Sequence, residues 1–143
     1  MQKGHDFEKQ VEKVLEHVEA LGGHAHKNHP ARTAEGTYLK GEPYDYEAFL
    51  PEYKCVFDAK KSATDTWRML KKDVIQANNL MKCANAGLHA YFLICFENRE
   101  VRQIDIREVV KVLQQGKKSI PKKLGQDWEL LKIVKGGMNK CLQ

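Results

Sequence analysis

Hydrophobic residues recur at intervals of three and four from Asp6 to Leu21, as Phe7, Val11, Val14, Leu15, Val18 and Leu21, and the run stops at Gly22-Gly23. That spacing predicts an amphipathic helix closed by glycine. The stretch that follows, "HAHKNHPARTAEGTYLKGEP", has little periodicity and several breakers, which predicts a short strand from His24 to Lys27 and then a long loop. Apolar and alternating runs predict strands over Tyr44 to Leu50 and Lys54 to Lys60, joined by Pro51-Glu52-Tyr53. Trp67, Leu70, Val74, Ala77, Leu80 and Met81 predict a helix from Thr66 to Cys83, capped by Thr64 or Asp65. "HAYFLICFE", residues 89–97, is apolar almost throughout, as in a central strand covered on both faces. Val101 to Ile104 follows the turn "ENRE" as a hairpin partner, and Ile106 to Gln115 returns to helical spacing. "WELLKIV" reads as a final strand or a packed tail.

The order helix, strands, helix, strand, strand, helix has no repeat or low-complexity block. It predicts one α/β domain over residues 1–143, a central mixed sheet flanked by helices. A composition 42% hydrophobic and 30% charged is that of a folded chain and excludes a disordered one. No apolar run is long enough to span a membrane, and "MQKGHDFEKQVEK" lacks the apolar centre of a signal peptide, so an intracellular protein is expected. The cysteines, Cys55, Cys83, Cys95 and Cys141, form no C-x-x-C pair. Buried reduced thiols, rather than a zinc site or a disulfide framework, are the expectation.

The formal charge of +5 suits a polyanionic partner, and the position of the charges sharpens that. Arg68, Lys71, Lys72 and Lys82 fall on the predicted second helix, and Lys117, Lys118, Lys122 and Lys123 in the loop "QGKKSIPKKLG". Such clusters suit contacts to phosphates, with plain solvation as the alternative.

The segment "YDYEAFLPEYKCVFDAKKS" carries the candidate chemistry. Side chains alternate along a strand, so Asp58 and Lys60 share one face, and Asp45 on the preceding strand reaches Asp58 if the register permits. Two carboxylates brought together repel unless a cation lies between them, and magnesium, which favours a few carboxylate oxygens and several waters, suits that place. Lys60 beside such an ion would orient a water and offset charge on a phosphate. An Asp-x-Lys triplet by itself is most often a surface ion pair; here it closes an apolar strand, follows one bearing Asp45 and precedes a basic helix.

From "KGHDFEKQVEKVL" to "HAYFLICFE" the sequence resembles the PD-(D/E)xK nuclease superfamily and, within it, the RecU-like and archaeal Holliday junction resolvases. Gly4 and Glu8 have the spacing of the first helix in those families. Asp45 in "PYDYEAF" matches the first acidic position, Asp58 in "FDAKKS" the second, with aspartate where the resolvases commonly have glutamate, and Lys60 the lysine. Gln76 resembles a polar residue of the following helix.

The resemblance implies a restriction-endonuclease-like core and an endonuclease that nicks four-way junctions symmetrically as a homodimer. It implies magnesium, replaceable by manganese, held by Glu8, Asp45, Asp58 and the Ala59 carbonyl, with Lys60 placing the water. Arg32, Lys61, Ser62, Arg68, Lys71, Lys72, Lys117, Lys118, Lys122 and Lys123 would contact DNA. Duplex-cutting nucleases and inactive DNA-binding relatives share the same core and are the alternatives. Whether Glu8 or Glu12 reaches the metal is open. The histidines His24, His26 and His29 read as unligated, in a segment that with Lys27 and Arg32 suits a DNA-contacting loop; Ser62, Thr64 and Thr66 read as phosphate donors, with capping by Thr64 or Asp65 put first, and Trp67 and Trp128 as core residues before base-stacking ones.

Overall fold

The computed structural model describes residues 3–28 and 43–141. Helix α1 (Lys3–Ala20) is followed by β1 (His24–Lys27), β2 (Tyr46–Leu50), β3 (Tyr53–Ser62), β4 (Thr66–Arg68) and α2 (Lys71–Asn85). Then come β5 (His89–Phe96), β6 (Glu100–Asp105), α3 (Ile106–Gln114), β7 (Ser119–Pro121), a single 3-10 turn (Lys122–Leu124) and α4 (Glu129–Cys141).

Five strands form one mixed sheet in the order β1-β2-β3-β5-β6. The pair β3 and β5 is parallel and the others antiparallel. A parallel pair cannot be joined by a tight turn, and α2 supplies the crossover. Both central strands are buried on two faces, which explains why β5 has no polar side. Tyr91, Leu93 and Cys95 pack with Cys55 and Phe57 against α1 and the Trp128 end of α4. Ala90, Phe92, Ile94 and Phe96 pack with Val56 against α2 and α3. Alternate positions of β3 therefore meet different helices, and Asp58 and Lys60 follow Val56 onto the α2 side.

Three elements differ from the sequence expectation. The second helix begins at Lys71, not Thr66, because Thr66-Trp67-Arg68 pairs with Ser119-Ile120-Pro121 in a separate two-stranded sheet, β4 with β7. Trp67 packs on Phe92, ring centroids 5.0 Å apart, as a strand residue, whereas Leu70 is 58% exposed at the helix start. Thr64 and Asp65 do not cap this helix; Asp73 does, its Oδ2 accepting the Leu70 backbone N–H at 2.7 Å. The loop expected at 117–123 contains β7 and the 3-10 turn. "WELLKIV" is helical from Glu129, and it buries Trp128, Leu130 and Val134 against α1 and the sheet.

On the α1 side of the sheet Trp128 Nε1 donates to Tyr91 Oη at 2.9 Å, and Tyr91 Oη in turn donates to Cys55 Sγ at 3.5 Å. All three residues are buried, so each polar atom depends on the next. Trp128→Phe removes the first donor and is expected to cost about 1–2 kcal/mol. Urea melts would show a lowered midpoint at unchanged slope; an unmoved midpoint would mean the chain of bonds contributes nothing.

No helix among the described residues is long and apolar enough to cross a membrane. Cys55, Cys83 and Cys95 are free thiols.

Candidate active site

The antiparallel pairing of β2 with β3 sets Tyr46 opposite Phe57, which brings the residues just beyond each, Asp45 and Asp58, side by side. The Asp45 backbone N–H donates to Asp58 Oδ1 at 2.6 Å. Asp45 is itself fixed from β1: the Asn28 N–H donates to the Asp45 carbonyl at 2.7 Å, and Asn28 Nδ2 donates to the Tyr44 carbonyl at 2.9 Å. The first acid therefore sits at a backbone crossing of three segments rather than on a free loop.

Asp58 is fully buried, and its second oxygen, Oδ2, has no hydrogen-bond partner among the described residues. Burial is the main cause that pushes its carboxyl up to about 7, the Asp45 charge the next, against the lowering effect of the Asp45 N–H bond and Lys60. Burial also raises the Asp45 carboxyl, although Lys60, Lys27 and Lys72 oppose it. Both acids are thus held where a proton or a cation is favoured over bare charge.

Beside them opens a cavity of about 490 Å³, whose walls include Glu8, Lys27, Asp45, Ala59, Lys60 and Lys61. Glu8, not Glu12, faces this space; Glu12 lines a neighbouring cleft with Glu16 and Glu19. The buried unpartnered oxygen, the second raised carboxylate and Glu8 make an all-oxygen donor set that fits a hard divalent cation. No group of three or more His, Cys, Asp or Glu side chains already stands at metal-holding distance among the described residues. Glu8, exposed on α1, would have to swing inward to join the two aspartates.

Lys60 lies in an ion pair absent from the sequence reading: its Nζ is 3.0 Å from Asp73 Oδ1, with side chains 16% and 4% exposed. Nothing local signals this contact, because Asp73 sits in a run of basic helix residues and meets Lys60 only through the crossover. Asn28 is the other site residue the sequence did not single out, and Lys27, expected only in a DNA-contacting loop, lines the same cavity. Gln76, one turn after Asp73, has a buried Oε1 without a partner among the described residues.

The basic positions divide. Lys61 is on the cavity wall, and Lys72 is close enough to lower the Asp45 carboxyl. Pairing of Arg68 with Ser119 gathers Arg68, Lys117 and Lys118 around an open groove of about 520 Å³. None of Lys61, Arg68, Lys71, Lys72, Lys117 and Lys118 forms an ion pair among the described residues.

Two others are occupied with the fold. Lys122 Nζ binds Glu97 at 2.8 Å and Glu100 at 3.3 Å, bracing the β5–β6 turn, where Glu97 and Asn98 have φ of 57° and 59°. Ser62 Oγ donates to the Thr66 carbonyl at 2.6 Å and accepts the Thr64 N–H, shaping the bend before β4. Lys123 lines a different groove, with Asp105 and Arg107. His24 bonds Glu47 at 2.8 Å, while Arg32 and His29 lie outside the described residues.

A mixed sheet flanked by helices carries an Asp, an Asp-x-Lys and a cavity beside them, and the family its sequence matches makes this a nuclease of the resolvase kind. The chain belongs to the RecU family, described as Recombination protein U, which its sequence matches over residues 4–138. That is a family of Holliday junction resolvases. Among solved structures the fold is similar to that of Hjc, a Holliday junction resolvase from Archaeoglobus fulgidus, with a TM-score of 0.58 at 14% identity over 89% of this chain and 96% of that one. No curated protein matches the sequence significantly.

Proposed function

We propose that this resolvase nicks four-way DNA junctions by magnesium-dependent hydrolysis, with manganese as a substitute, at the site of Asp45, Asp58 and Lys60. The observation that carries the reading is the Asp45–Asp58 pair, with one buried carboxylate oxygen left unpartnered beside a cavity that also holds Lys60. Asp45, Asp58, the Ala59 carbonyl and Glu8 would hold the ion, which when bound supplies Lewis acidity at the scissile phosphate and a more acidic water.

Lys60 holds the attacking water in line and offsets charge growing on the phosphate oxygens. Gln76 Oε1, buried and without a partner among the described residues, would serve as a further acceptor in this role. Lys61 and Lys72 take the phosphates flanking the cut, and Arg68, Lys71, Lys117 and Lys118 those further along. Symmetric nicking calls for two such sites, hence a two-fold homodimer.

Cleavage of a labelled four-way junction against linear duplex of the same sequence, in magnesium and in EDTA, tests the reading. Paired nicks on the junction alone, lost in EDTA, are expected. Equal cutting of duplex would make the protein a general nuclease, and binding without cutting a DNA-binding module.

If these six cations each neutralise one phosphate, the logarithm of the affinity should fall with the logarithm of salt at a slope of about −5 per protomer engaged, or about −11 for the dimer. Fluorescence anisotropy in EDTA measures it, and a slope near zero would remove the proposed grip.

A further inference from the structure

We propose that Asp73 is a positioning residue for the catalytic lysine. Lysine is a poor instrument for placing a water, because four rotatable bonds let the ammonium wander unless something holds it. In this fold the holder is a carboxylate with one oxygen bonded to the backbone and the other paired with the ammonium. Asp73 Oδ2 accepts the Leu70 N–H at 2.7 Å, fixing the carboxylate to the backbone at the start of α2. Asp73 Oδ1 lies 3.0 Å from Lys60 Nζ. At that distance the carboxylate holds the ammonium from one side and leaves its remaining N–H donors for water and phosphate.

Capping alone does not account for this arrangement. A carboxylate at the third position of a helix caps it equally well from solvent, and the adjoining Leu70, Lys71 and Lys72 are exposed. Asp73 instead turns inward to 4% side-chain exposure, toward Lys60, itself only 16% exposed. The same contact keeps a third carboxylate from facing Asp45 and Asp58 without its own counter-charge.

The inference rests on Lys60 acting in cleavage as proposed above. Asp73→Asn separates the two duties, since the amide oxygen still accepts from Leu70 while the charge on Lys60 is lost. Single-turnover cleavage under saturating enzyme is expected to slow about 10–100-fold, with junction affinity in EDTA within twofold of wild type. Asp73→Glu, which keeps the charge, should recover at least a threefold part of the lost rate.

A rate for Asp73→Asn within twofold of wild type would overturn the proposal, as would equal slowing in both variants accompanied by equal loss of melting temperature. Nuclear magnetic resonance of the lysine ammonium groups gives a readout that needs no activity. Lys60 should show a slowly exchanging ¹H–¹⁵N signal, assigned by its loss in Lys60→Arg and abolished in Asp73→Asn. A signal unmoved by Asp73→Asn sinks the positioning role even if the enzyme cuts. An inert wild type with the signal present would instead retire the cleavage chemistry and leave the pairing standing.

Discussion

Asp58→Asn is expected to slow junction cleavage by about 10³-fold or more and, in the same protein, to raise the melting temperature at pH 8. The two effects have one cause. Asp58 is fully buried, leaves Oδ2 unpartnered and sits beside Asp45, which is why its carboxyl is pushed up to about 7 from an ordinary value of 3.8. Folding of the metal-free chain therefore takes up a proton between those limits. Stability from this group is fully present below about pH 4 and is lost as pH rises through 7. At pH 8 the buried anion costs about 2–4 kcal/mol, an order-of-magnitude figure.

Asparagine keeps the acceptor for the Asp45 N–H and carries no charge, so melts in EDTA should rise about 5 °C or more at pH 8 and much less at pH 5. Magnesium should stabilise wild type at pH 8 and leave the variant unmoved. A variant less stable than wild type at both pH values would show that Asp58 is not under electrostatic strain.

The second large effect belongs to Lys60→Met, which keeps the apolar stem and removes the ammonium. Cleavage should fall about 10²–10³-fold while junction affinity stays within a few-fold, because one donor among many cations contributes little to binding and much to the reacting phosphate. Stability should also drop by about 3 kcal/mol, since Asp73 is left as a buried unpaired charge. Adding Asp73→Asn to Lys60→Met should return most of that stability in urea melts and none of the rate. Recovery of the rate would mean that Lys60 serves only to neutralise Asp73.

The central strands were legible because burial leaves a one-dimensional record. Residues 90–96 are apolar on both faces, and the β3 run breaks into Asp58 and Lys60 just past its last pairing with β2. Asp45 was legible through its place beside the preceding strand, which begins one residue later, at Tyr46. What sequence could not resolve depends on contacts between distant segments. Glu8 and Glu12 share a helix face, and only the packing of α1 decides that Glu8 meets the cavity. Trp67, Leu70 and Val74 happen to have helical spacing, yet a pairing with Ser119 to Pro121 draws Trp67 into a strand. Trp128 and Leu130 alternate like a strand, but Val134 completes a helical stripe against α1. Asp73 looked like one more charge on a charged helix until the crossover set it against Lys60.

The small β4–β7 sheet has a consequence for how such an enzyme can be altered. The Met69 N–H donates to the Lys118 carbonyl at 2.8 Å, the next residue, Leu70, donates its own N–H to Asp73, and Asp73 faces Lys60. Three contacts thus connect a lysine of the groove proposed to hold DNA with the lysine proposed for the chemical step, although the two lie far apart along the chain. Grip and scissors share a frame, so a surface loop exchanged near Gly116 to alter substrate preference would carry the geometry of the cut along with it.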